Sequence, residues 1–167
     1  MALIIEDGSQ VANADSYVTQ ADYITYAAKL GITIDAVDAT DEQLRKAANF
    51  IGDHEANLKG CKVSRDQSMA YPRYDLCIEG FYWASDEIPR QVILAQMNIA
   101  LDLEAGIDIY NPAQSDSTPV KREKIEGAVE IEYATKESSP LSRRSSSTAL
   151  MSSLLENNGL NIRLVKR

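Results

Sequence analysis

The residues with the strongest chemical potential in this chain are few and scattered. His54 is the only histidine, so a Ser-His-Asp triad or a two-histidine metal site would have to be built on it alone. Its place in a helical pattern favours a structural or solvent-facing role. Cys61 and Cys77 are the only thiols, and without a paired Cys/His motif beside them they make a poor zinc set. They read as free thiols, buried or half-buried. Asp86-Glu87 is an acid pair that could hold a metal, but it stands just ahead of Ile88-Pro89, where acids at the positive end of a helix dipole explain it more simply. Phe81-Tyr82-Trp83 has the chemistry of a base-stacking platform. With no Lys or Arg interleaved, core or interface packing is the favoured reading. No catalytic constellation emerges, and the expectation is a protein that is not an enzyme and uses neither cofactor nor metal.

The elements that must carry these residues are those of a soluble globular chain. Its 167 residues are 44% hydrophobic and 25% charged, enough for one compact domain with appendages. No apolar run reaches the ~20 residues that span a bilayer, and the opening Met1-Ala2-Leu3-Ile4-Ile5-Glu6 lacks the basic start of a signal peptide. The protein is therefore expected to be made in a cytoplasm, with no membrane partner. The net charge of −8 is uneven: residues 1–58 hold 3 basic and 10 acidic side chains, 59–112 hold 5 and 8, and 113–167 hold 9 and 7. Cationic contacts to phosphate supply most non-specific nucleic-acid affinity, so this balance argues against a dedicated DNA-binding protein. The basic last third could be a DNA surface, a solvated tail or a contact to an acidic protein.

In chain order, Leu3-Ile4-Ile5 reads as a strand entering a turn at Asp7-Gly8-Ser9. Thr19 with Asp22 caps a helix over about 20–30 that Gly31 closes. Thr40 and Gln43 form a capping box for a second helix running to about Leu58, with Leu44, Ala47, Ala48 and Ile51 on its apolar stripe. A third, central helix runs from Pro89 to about Ala105. Between the last two lies an elbow, Gly60 to Arg73, in which Gly60, Gln67, Tyr71, Pro72 and Arg73 are expected to fix the angle between helices. Residues 107–119 are turn-rich, and the alternation of Val129, Ile131 and Tyr133 with Glu130 and Glu132 predicts a β-hairpin. A serine-rich linker, a short amphipathic helix over about 148–156 and an alternating tail follow. The fold expected is mainly α, a small bundle of three main helices with a β-hairpin and an extended C-terminal arm. Its parts are a helical core over 1–112, the hairpin over 113–135, and the linker and arm over 136–167. Such an arm buries little alone, so Arg143, Arg144, Leu150, Leu154, Leu155, Ile162, Arg163 and Arg167 are expected to meet another subunit or a partner.

Several blocks resemble one family of tailed-phage proteins: Met1 to Ser9, Ala14-Asp15-Ser16-Tyr17-Val18, the Lys59-Gly60 to Tyr71-Pro72-Arg73 elbow, Ile88-Pro89, and Val120 to Gly127 before Val129 to Ala134. Its members are often labelled DnaT-like single-stranded-DNA-binding proteins, yet look like head-tail connectors of the head-completion adaptor class. The resemblance covers residues 1 to about 156 and departs at Tyr71, where Trp is more usual, and in the serine-rich 138–147. It implies a mainly helical subunit of a ring, typically dodecameric, beneath the portal protein, in the neck of the virion. Genomic DNA would pass through the lumen without sequence-specific binding, and tail or neck proteins would dock on the ring. The C-terminal arm would then meet portal. The alternative is a DnaT-like single-strand binder in replication.

Overall fold

The computed structural model describes residues 2–34, 37–107, 109–110, 123–124, 130–131 and 146–156. Four α-helices form its frame: α1 Gln20–Lys29, α2 Val37–Asp53, α3 Arg90–Glu104 and α4 Ser146–Leu154. A 3-10 turn spans Glu55–Asn57. The described residues also form three two-residue antiparallel pairings, β1 Cys61–Lys62 with β2 Arg73–Tyr74, β3 Cys77–Ile78 with β4 Phe81–Tyr82, and β5 Glu123–Lys124 with β6 Glu130–Ile131, and isolated bridges at Ile5–Ser16 and Leu58–Leu155. The fold is mainly α.

α1 begins where its cap predicts. The Thr19 hydroxyl accepts the Asp22 N–H at 3.1 Å and donates to the Asp22 carboxylate at 2.7 Å, which satisfies an orphan donor of the first turn. α2 starts earlier than its capping box suggests, at Val37. Thr40 is therefore buried inside the first turns, and its hydroxyl accepts from the Gln20 amide at 2.6 Å. Thr40 serves to tie α2 to α1 rather than to open α2. The same helix ends at Asp53, with the 3-10 turn carrying the chain to Leu58.

α3 is the centre of the core. Val92, Ala95, Gln96, Met97, Asn98, Ile99 and Ala100 are all buried, because α2 packs on one side of the helix and α4 on another. Burial all round is what a wide apolar arc on a helix produces. Leu44, Ala47 and Ile51 of α2 and Met151 and Leu154 of α4 meet it.

The position of α4 corrects the expectation of a detached arm. Leu154 is fully buried and Met151 nearly so. The junction is closed by the backbone: the Lys59 N–H donates to Leu154 O at 2.9 Å, the Glu156 N–H donates to Asn57 O at 2.8 Å, and Leu58 bridges Leu155 antiparallel. The Lys59 ammonium adds a bond to Ser153 O at 2.7 Å. This short helix finds its apolar partner within the same chain, as the fourth helix of the bundle. The β5–β6 pairing, Glu123 with Ile131 and Lys124 with Glu130, falls where alternation predicts a hairpin. The remainder of the 113–135 and 136–167 segments lies largely outside the described residues.

Candidate functional site

The elbow is a hydrogen-bonded knot. Arg73 at the start of β2 is 6% exposed, and its guanidinium donates to Gly60 O at 2.8 and 3.2 Å, with longer contacts to Leu58 O and Ala70 O at 3.4 Å. Its charge is answered by carbonyl dipoles, and among the described residues no carboxylate pairs with it. The Gln67 amide donates to Met69 O at 2.9 Å and Pro72 O at 3.1 Å, while its oxygen accepts the Ser64 N–H at 3.1 Å. Gly60 has φ +73, and a Cβ there would stand 2.7 Å from Tyr74 O. Only glycine fits this crossing.

Tyr71, joined to Pro72 by a cis bond, anchors the knot to the core. Its N–H donates to the Tyr17 phenol at 3.0 Å, and the two rings meet edge to face at 6.4 Å. The Arg73 guanidinium lies 5.9 Å from the Tyr71 ring centre, a cation–π distance. Tyr17 in turn donates its N–H to the Gln96 side chain at 2.9 Å, and the Gln96 amide donates to Ser16 Oγ at 2.8 Å and Leu44 O at 2.9 Å. Burial pushes both phenols well above their ordinary range. Both phenols are held neutral, and their contacts tie the elbow to the core.

The hairpin β3–β4 lies beside this scaffold. Phe81 and Tyr82 are 73% and 84% exposed, so of the core or interface packing expected for this run, core packing holds for Trp83 alone, which packs against the core. Asp75, Glu79, Asp86 and Glu87 occupy residues 74–89, and that stretch contains no Lys or Arg. The exposed aromatic pair thus belongs to a sequence stretch with four acids and no base.

A cleft of about 470 Å³ opens next to Trp83, bounded also by Glu6, Asp7, Asp86, Glu87 and Ile88. Gly8 brings its two walls together: with φ +104, it presses so closely on Asp86 that a Cβ would overlap the Asp86 carbonyl. Buried Glu6 accepts the Gly8 and Gln10 N–H groups through Oε1, both at 2.9 Å, and leaves Oε2 without a partner. Bonds from the Ser9 hydroxyl and amide hold the Asp7 carboxyl below its ordinary range. Among the described residues no three His, Cys, Asp or Glu side chains are placed to hold a metal.

Of the residues singled out in the sequence, the elbow set Gly60, Gln67, Tyr71, Pro72 and Arg73 comes together. Leu154 is consumed by the core, Leu155 is half-buried beside Leu58, and Leu150 is half-buried against the core. They are part of the chain's own packing. Arg143, Arg144, Ile162, Arg163 and Arg167 lie outside the described residues. Cys61 is exposed, against expectation, and Cys77 half-buried; His54 binds Phe50 O at 2.8 Å through Nδ1. Glu6, Tyr17 and Gln96 are not anticipated by sequence reasoning. A lone amide in the middle of the apolar Val92–Met97 run is the signal that marks Gln96.

These features define a mainly helical protein organised by a buried elbow, with an exposed aromatic hairpin and an acidic cleft. No described helix is long and apolar enough to cross a membrane. A family model described as "Putative DnaT-like ssDNA binding protein" matches residues 1–167, and the chain belongs to that family. No curated protein and no solved structure matches it.

Proposed function

We propose that this chain is a non-enzymatic structural subunit that assembles with copies of itself, of the head-tail adaptor kind that its elbow and hairpin blocks resemble. On this reading it forms a ring beneath a portal protein in the virion neck, extends the DNA channel and offers a surface to tail proteins. The observation that carries it is the solvent-exposed Phe81-Tyr82 pair in a stretch with four acids and no base. Exposed aromatics favour a protein interface, while a stretch without Lys or Arg offers no cation to phosphate. An acidic lumen would also let DNA slide, where a cationic one would hold it.

The family description favours a second reading, a single-stranded-DNA binder. In it, Phe81 and Tyr82 would stack on bases. One pair of measurements separates the two. Electron microscopy and light scattering, with and without portal, should show rings that the Phe81→Ser, Tyr82→Ser double variant fails to form, while its stability stays within about 0.5 kcal/mol. Saturable binding of short single strands at low salt, lost in that variant and in a monomeric wild type, would establish the second reading instead.

A further inference from the structure

A ring needs two different, complementary patches on every subunit. The acidic cleft is half of such a pair. Its walls carry Glu6, Asp7, Asp86 and Glu87 and no Lys or Arg. Glu6 is only 2% exposed, yet its Oε2 meets no donor, and the buried Trp83 Nε1 is also unpaired. A buried carboxylate oxygen without a donor is destabilising and calls for one. Trp83 lines the same cleft. Four carboxylates lining one cleft with no Lys or Arg beside them match a side-chain cation, guanidinium or ammonium.

The complement is present in the same sequence. Residues 157–167 contain Arg163, Lys166 and Arg167 and no acid. We infer that the Glu6–Trp83–Asp86 cleft receives a basic side chain from the 157–167 segment of a second copy, making a head-to-tail contact between subunits. This rests on the reading that the chain self-assembles. Opposite charge supplies steering and register to the contact, and the exposed Phe81-Tyr82 pair supplies apolar area next to it.

Trp83 is the only tryptophan, so its emission reports on the cleft directly. In the full-length protein, emission should change with protein concentration in step with the mass from light scattering. Replacing Arg163, Lys166 and Arg167 by Glu should weaken association by about tenfold or more and abolish the emission change. Asp86→Asn with Glu87→Gln, both at exposed positions, should do the same; so should Glu6→Gln, which keeps an acceptor for Gly8 and Gln10. Combining the tail reversal with Asp86→Lys and Glu87→Lys should restore association. A wild-type chain that assembles while indifferent to all these changes would overturn the cleft contact and leave the ring reading intact. A chain monomeric at every concentration, even with portal, would overturn both. A tail effect on Trp83 emission that is independent of concentration, in a protein that remains monomeric, would place the contact within one chain and overturn its assignment to a second copy.

Discussion

The phenolic oxygen of Tyr17 accepts the backbone N–H of Tyr71 at 3.0 Å across 54 positions of sequence. This one bond couples the elbow to the central helix, since the Tyr17 backbone is itself held by Gln96. The elbow's orientation relative to α3 is thus fixed by a chain of buried polar contacts rather than by the connection alone.

Tyr17→Phe should therefore be disproportionately harmful for the loss of one oxygen. The Tyr71 N–H would be left buried without an acceptor, which costs about 1–3 kcal/mol. Denaturant unfolding at neutral pH checks this; a change below about 0.5 kcal/mol would mean that the elbow shifts to find another acceptor or water.

The sequence announces local features of this fold better than long-range ones. Thr19 and Asp22 form a cap within four residues, so α1 is legible. The elbow residues are legible as a group because Gly60 admits the positive φ that other residues avoid and Pro72 fixes its own φ. Thr40 misleads because a threonine with a Gln three residues on looks the same whether it caps a helix or accepts from Gln20. The docking of α4 is illegible for a deeper reason: Leu150, Met151 and Leu154 form the same apolar face for a foreign partner as for α3. Only the neighbours reveal which surface covers it.

Leu154→Ala should destabilise the whole domain by about 2–5 kcal/mol, the range for emptying a packed leucine site. The same substitution in a detached arm would change stability very little. Calorimetry of the variant decides between them, and a single cooperative transition moved to lower temperature is the expected result.

Stability should fall on the alkaline side. Burial, assisted by the Glu104 carboxylate, pushes the Tyr23 phenol from its ordinary value of 10.0 up to about 12, and Tyr17 and Tyr71 shift in the same direction. A folded state that holds these protons more tightly than the unfolded chain keeps its full stability below pH ~10 and loses it as pH rises through the folded values. Unfolding followed by circular dichroism from pH 8 to 12 should show the decline, reduced in Tyr23→Phe. A flat profile would mean that water reaches these hydroxyls.

The closure of Leu58 and Lys59 on Leu154 and Leu155 also governs the order of events during synthesis. Helix α3 leaves the ribosome long before its α4 cover exists, so the nascent chain must carry an uncovered apolar face through the making of more than forty further residues. That interval is when aggregation or a holding chaperone would act. Nascent chains arrested before Ser146 should be cut rapidly by protease within α3, and those extended well past Glu156 should resist.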